Sequence, residues 1–164
     1  MKIGVLSDTH DNLPLIEKAV GVFNRENVDL VLHLGDYCAP FALRPFRALR
    51  MEWKGVFGNN DGERMGLLEA SGRRIVAGGL TLSWGGKEIF VDHINPLRSA
   101  LAASGRFDVI LYGHTHTLEI YEEKGCLCVN PGEVCAYLTG KATVVCIDLN
   151  DVSPRGVEVF DLMV

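Results

Sequence analysis

Several features that mark whole classes of protein are scarce in this chain or missing from it. Lys and Arg number 16 against 21 Asp and Glu, for a formal charge of −5 and a pI near 5.5. That leaves no cationic excess for a nucleic-acid surface or an anionic membrane, both of which need clustered Lys and Arg. No apolar run approaches the roughly 18 residues of a membrane span. The first residues lead straight into a strand pattern, not a basic region followed by a long apolar segment, so neither a signal peptide nor an anchor is expected. The five cysteines are an odd number with no C-x-x-C pair. Cys126 and Cys128 alternate along a strand pattern, too tightly for a zinc ribbon, and are expected to be buried free thiols in a reducing cytoplasm. No repeat, low-complexity segment or linker divides the 164 residues. One domain, residues 1–164, is expected, long enough to bury about two-thirds of its unfolded surface.

The apolar pattern falls into alternating short segments. Lys2 to Leu6 and Leu30 to Leu34 read as strands covered on both faces. Between them, Asn12 caps a helix with Pro14 in its first turn, and Leu15, Ile16, Ala19, Val20 and Phe23 recur at helical spacing to about Arg25. Phe41 to Arg50 reads as a second helix and Trp53 to Phe57 as a third strand. This β-α-β-α-β order implies parallel strands with right-handed crossovers. The second half is richer in strands. Ile75 to Ala77, Leu80 to Trp84 and Glu88 to Asp92 are punctuated by Gly78-Gly79 and Gly85-Gly86, both read as hairpin turns. A helix around Pro96 to Ala103 precedes Val109 to Tyr112. Leu118 to Glu122, Cys126 to Asn130, Thr143 to Leu149 and Val157 to Phe160 follow as strands. A mixed sheet facing a second sheet, with helices outside, fits this α/β order. Strand edges in the second half leave room for a homodimer.

Chemistry is concentrated where these strands end. Ser7-Asp8-Thr9-His10, Gly35-Asp36, Gly58-Asn59, His93 and Gly113-His114-Thr115-His116 each close an apolar run, and they hold four of the five histidines. In an open α/β sheet, residues just past the carboxyl ends of the strands converge on one crevice. Carboxylate oxygen and imidazole nitrogen suit divalent Mn, Fe, Co, Ni or Zn, and a shell without cysteine disfavours a purely structural zinc site. Asp8, His10, Asp36, Asn59, His93, His114 and His116 are more ligands than one ion needs and match two ions sharing a carboxylate. Gly35 and Gly58 let backbone approach closely. His33, flanked by Leu32 and Leu34, reads as a satisfied core or near-site histidine. Arg44, Arg47 and Arg50, every third residue, read as a solvated face.

The order Asp-x-His, Gly-Asp, Gly-Asn, His and Gly-His-x-His resembles the calcineurin-like metallophosphoesterase superfamily. The short length and the Ser-Asp-Thr-His start resemble its small prokaryotic YfcE-type phosphodiesterase branch. The resemblance implies a four-layer αββα fold and a binuclear centre. Asp8, His10 and His116 would hold the first metal, Asn59, His93 and His114 the second, and Asp36 would bridge them. It also implies a metal-bridging hydroxide that attacks phosphorus in line, supported by Asp36, Asn59 and His93. Manganese leads among the candidate metals, and a small phosphate ester is the expected substrate. A phosphomonoesterase of the same fold is one alternative. The other is a non-catalytic interaction scaffold, because the fold also resembles that of Vps29.

Three residues depart from the family pattern. Asn60 stands where many relatives have a histidine thought to protonate the leaving alkoxide, and an amide cannot. Loss of such an acid typically forfeits about 10²–10⁴-fold on poor leaving groups. Asp92 replaces a glycine before the middle histidine, where it can crowd a metal, support His93 or point away. Glu133 takes the place of serine in Asn130-Pro131-Gly132-Glu133. Together with Asp11 it is expected to make the rim hostile to dianionic monoesters and to favour monoanionic diesters or a cationic group. Asp61 is read either as orienting a ligand imidazole or as a turn residue.

Overall fold

Alternation inside the apolar strands decides how the layers stack. The computed structural model describes residues 1–164. It runs β1 (Lys2–Leu6), α1 (Leu13–Arg25), β2 (Leu30–His33), β3 (Glu52–Val56), α2 (Arg64–Ala70), β4 (Ile75–Val76), β5 (Leu80–Trp84) and β6 (Lys87–Val91). It continues through α3 (Arg98–Ala103), β7 (Val109–Leu111), β8 (Leu118–Glu123), β9 (Cys126–Pro131), β10 (Thr143–Asp148) and β11 (Val157–Asp161). Ile3, Val5, Leu30 and Leu32 face inward and meet Ile89, Val91, Val109, Leu111, Leu127 and Val129 in one buried cluster between two sheets. On the outer side, Val31 packs with Ile16, Ala19 and Phe23 of α1. Ile110, Cys126 and Cys128 do the same on the opposite surface with Ala102 of α3 and Phe107. Each such aliphatic or aromatic burial is worth about 1.5–3 kcal/mol, which is why the strands lack alternation of polarity. The result is the expected helix–sheet–sheet–helix arrangement.

The first sheet has the order β11-β10-β1-β2-β3-β4 and the second β5-β6-β7-β9-β8. Strands β1 to β4 run parallel, and so do β6, β7 and β9. Both parallel sets send their carboxyl ends to one edge of the sandwich. Helix α1 starts as expected: the Asn12 side chain accepts the Leu15 N–H at 3.4 Å, a cap worth about 1 kcal/mol. No helix is long and apolar enough to cross a membrane.

Three local expectations fail. Phe41 to Arg50 is not one helix but two 3-10 turns, Pro40–Leu43 and Pro45–Ala48. Pro45 has no N–H to give, and its ring collides with the carbonyl four residues back in an α-helix. The Phe41 carbonyl instead accepts the Arg44 N–H at 3.0 Å. Gly78-Gly79 is not a hairpin either. β4 pairs with β3, Gly55 opposite Ile75, while β5 opens the other sheet, so these glycines carry the crossover between sheets. Gly85-Gly86 does close a hairpin, with φ of 60° and 74° and Trp84 opposite Lys87, as a type I′ turn requires. Helix α2 arises where no element was expected, anchored by the buried Leu67.

Candidate metal centre

Backbone bonds stitch the loops at this edge together. The Asp8 N–H donates to the Gly35 carbonyl and the Thr9 and His10 N–H groups to the Asp36 carbonyl, all at 3.1 Å. The Cys135 N–H reaches the Asp8 carbonyl and the Gly113 N–H the His93 carbonyl, again at 3.1 Å. Asp8, His10, Asp36, His114 and His116 sit at φ of 54°, 38°, 61°, 68° and 61°. Left-handed backbone of this kind costs about 1–3 kcal/mol per residue and persists only when its surroundings over-determine it. Gly35, at φ 108°, has no room for a side chain: a Cβ there would lie 2.7 Å from the Gly58 nitrogen and 2.8 Å from His93 Nδ1.

These loops bring all seven candidate ligands together. Asp8 Oδ1 lies 3.3 Å from His116 Nε2 and 3.8 Å from His10 Nε2, and the two rings stack at 5.2 Å. His93 Nε2 lies 2.9 Å from Asn59 Oδ1, and its ring meets His114 edge-on at 5.3 Å. Asp36 Oδ2 stands between the two groups, 3.5 Å from His10 Nε2 and 3.3 Å from His93 Nε2. The His114 N–H donates to Asp8 Oδ2 at 3.2 Å. His93 Nδ1 donates to the Leu34 carbonyl at 2.9 Å, which leaves Nε2 as its ligand atom.

The donor set fits divalent cations. Asp8 Oδ1 and His10 Nε2 are buried with no hydrogen-bond partner, a cost that a bound cation removes. Electrostatics point the same way. The neighbouring Asp8 carboxylate raises the pKa of His10 against the opposing effect of burial, with Asp36 adding to it. Burial lowers that of His93, but Asp36 outweighs it and the net shift is upward. Burial likewise opposes ionisation of Asp36, yet the adjacent His93 ring and two bonds from Asn60 hold it well below the usual carboxylate range. The pocket is built to hold positive charge.

Residues around the ligands were only partly legible in the sequence. Glu133 does not face the rim. It is 1% exposed, and its Oε2 accepts His116 Nδ1 at 2.6 Å and the Cys135 thiol at 3.0 Å. Its oxygens also take the N–H groups of Tyr137, Leu138 and Thr139. Burial works against the charge, but these bonds bring its pKa down to about 2. Asp11 is half-buried and accepts the Ala39 N–H at 3.0 Å. The rim therefore lacks the Glu133 carboxylate that was expected there. Asp61 orients no imidazole: it accepts the N–H groups of Asp36, Cys38 and Gly58 at 3.1, 2.8 and 2.7 Å. Asn60 donates its N–H to Asp36 Oδ1 and its amide to Oδ2, both at 2.8 Å. Asp92 supports its neighbour through backbone, accepting the His93 N–H at 2.8 Å.

His33 is a satisfied core histidine beneath the site. Its Nδ1 accepts the Gly35 N–H and its Nε2 donates to the Thr9 hydroxyl, each at 3.1 Å. Burial drives its pKa well down, so it is neutral. Arg44, Arg47 and Arg50 are solvent-exposed. All five cysteines are free. Cys38 lies 3.3 Å from His10 Nδ1, and Cys135 groups with His10 and His116. Nothing in their spacing announced either placement.

Residues 1–152 match the calcineurin-like phosphoesterase superfamily domain. The chain is 40% identical over 155 residues to phosphodiesterase MJ0936 of Methanocaldococcus jannaschii, covering 90% of this chain and 93% of that protein. The solved structure of an archaeal phosphodiesterase superposes with a TM-score of 0.89 at 35% identity, over 98% of this chain and 99% of the other. The YfcE phosphoesterase of E. coli superposes with a TM-score of 0.74 at 18% identity, over 99% and 100% of the two chains, a likeness of fold.

Proposed function

Since the chain belongs to the calcineurin-like phosphoesterase superfamily, we propose that it hydrolyses small phosphodiesters at a binuclear metal centre. The carrying observation is the position of Asp36 Oδ2 between His10 and His93, with Asp8 Oδ1 and His10 Nε2 otherwise unpartnered. Asp8, His10 and His116 form one ligand group, Asn59, His93 and His114 the other, and Asp36 serves both. Three oxygen and four imidazole ligands accept Mn, Ni, Fe, Co or Zn, and manganese is the first candidate to test. When bound, two divalent cations supply Lewis-acid charge to the phosphoryl oxygens and acidify the attacking water. The chain's own residues set the geometry. Asn60 fixes both oxygens of Asp36, Glu133 fixes His116, and the Leu34 carbonyl fixes His93. No side chain at residue 60 holds a proton for the leaving group. The diester reading follows the curated relative's phosphodiesterase name. A cytoplasmic setting suits the five unpaired thiols.

An interaction scaffold in the manner of Vps29, whose fold is similar, needs no such convergence of acceptors. The test is hydrolysis of bis(p-nitrophenyl) phosphate and p-nitrophenyl phosphate after metal reconstitution. Manganese-dependent cleavage that favours the diester is expected, with losses above about 10²-fold in Asp36→Asn and His114→Ala. Undiminished rates in both variants overturn the binuclear reading. Inactivity with every divalent metal supports the scaffold, and faster monoester cleavage supports the phosphomonoesterase.

A further inference from the structure

Beside the second ligand group lies a cleft of about 200 Å³, lined by Phe57, Asn59, Arg64, Asp92, His93 and Ile94. Two of these are proposed ligands, so the cleft adjoins the candidate metal centre and is within reach of a group esterified to a phosphate held there. The remaining four have complementary chemistry. The Arg64 guanidinium lies 5.3 Å above the Phe57 ring. It is held there by Nε donating to the Asp61 carbonyl and Nη2 to the Gly58 carbonyl, both at 3.1 Å. A guanidinium fixed in this way is a flat platform with one open face. Ile94, 45% exposed, supplies an apolar wall. Asp92 commits Oδ1 to the His93 N–H, and Oδ2 has no hydrogen-bond partner.

These groups suit a neutral planar ring better than a second anion. Arg64 keeps three of its five N–H donors after its bonds to the two carbonyls, but Asp92 repels a phosphate or carboxylate from the same space. A ring that stacks on the guanidinium and offers an N–H edge satisfies both groups, as bases do on arginine planes elsewhere. Resting on the phosphodiesterase reading, we propose that this cleft binds the organic group of the ester and selects a nucleobase-type heterocycle that bears an exocyclic amine, with Asp92 as the specificity-determining acceptor. Asp92 is not among the proposed ligands, so the selection it makes is separable from the metal chemistry.

The test uses three manganese-loaded reactions that release the same p-nitrophenol: methyl p-nitrophenyl phosphate and the p-nitrophenyl esters of cytidine 5′-phosphate and uridine 5′-phosphate. At position 4 cytosine presents an amine and uracil a carbonyl, while at N3 cytosine accepts and uracil donates, so the uridine ester also tests whether a ring N–H can replace the exocyclic amine. The expected result is a kcat/KM for the cytidine ester about tenfold above the uridine ester, as a single hydrogen bond to a charged acceptor provides. Asp92→Asn, which presents a donor in place of Oδ2, should abolish or invert that ratio. Because both esters meet the same metal centre, the ratio is insensitive to damage at His93. Ile94→Ser should shrink the advantage of both nucleoside esters over the methyl ester. A ratio near one, or a ratio unchanged by Asp92→Asn, overturns the proposal and leaves the phosphodiesterase reading standing. Failure to cleave even the methyl ester overturns both.

Discussion

Replacing Glu133 with glutamine changes one oxygen for an NH₂ and leaves volume intact, so it tests hydrogen bonding without opening a cavity. Glu133 Oε2 accepts from His116 Nδ1, the Cys135 thiol and the Tyr137 N–H at 2.6, 3.0 and 3.2 Å. Oε1 accepts from the Leu138 N–H at 3.1 Å and from the N–H and hydroxyl of Thr139, both at 2.6 Å. One glutamine oxygen can serve only one of these sets. The three donors facing the new amide lose their acceptor, at about 1 kcal/mol each. The same bonds are what bring the carboxyl from 4.5 to about 2, a shift that corresponds to roughly 3 kcal/mol in favour of the folded, ionised form at neutral pH. For a chain of this size, that loss lowers Tm by about 6–12 °C. The folded pKa is depressed, so the contribution is complete above 4.5 and disappears as pH falls through about 2. Urea unfolding of wild type and Glu133→Gln without metal should therefore show a gap of about 3 kcal/mol at pH 7 that narrows below pH 4.5. With its orienting partner gone, His116 should also bind metal about 10–100-fold more weakly. A gap under about 0.5 kcal/mol at pH 7, within the range of an ordinary surface change, refutes the reasoning.

Two further outcomes are expected. Asp61→Ala strands three N–H groups in a place only 2% exposed. It should destabilise by about 3–5 kcal/mol, with Asp61→Asn intermediate in denaturant unfolding; equal stabilities would contradict the assigned bonds. With Asn60 unable to donate a proton, a leaving-group series of methyl diesters should show rates falling steeply as the alcohol becomes less acidic. Alkyl and aryl leaving groups should differ by at least about 10². Similar rates across the series would mean that another group supplies the proton.

The ligand loops were legible because each one follows a strand whose apolar run is unmistakable, and because the parallel order sends every strand end to one edge. What the sequence could not convey was the direction of charge around them. Glu133 read as a rim carboxylate because its receptor is a set of backbone N–H groups from Tyr137 to Thr139, and backbone donors have no sequence signature. The two readings of Asp61, imidazole partner or turn residue, stayed open for the same reason; its bond to the Gly58 N–H three residues back fits the turn. The missed α2 and the broken 41–50 helix are failures of a different kind. Both segments are short, and a single proline or glycine changes their preference more than the few apolar positions in each can restore. Gly78-Gly79 misled because a glycine pair specifies a sharp reversal but not which sheet the chain enters next.

The place of β10 in the first sheet has a consequence for synthesis. It lies between β11 and β1, pairing antiparallel with β1 from Lys2 opposite Asp148 to Val5 opposite Val145. Every proposed ligand, from Asp8 to His116, is made before Thr143, the first residue of β10, leaves the ribosome. Until then β1 offers a bare edge whose inward side chains are wholly apolar, the kind of edge that recruits strands from other molecules. An elongating or truncated chain thus carries the whole set of proposed metal ligands on an unfinished sheet, and is most prone to aggregate just before β10 joins it.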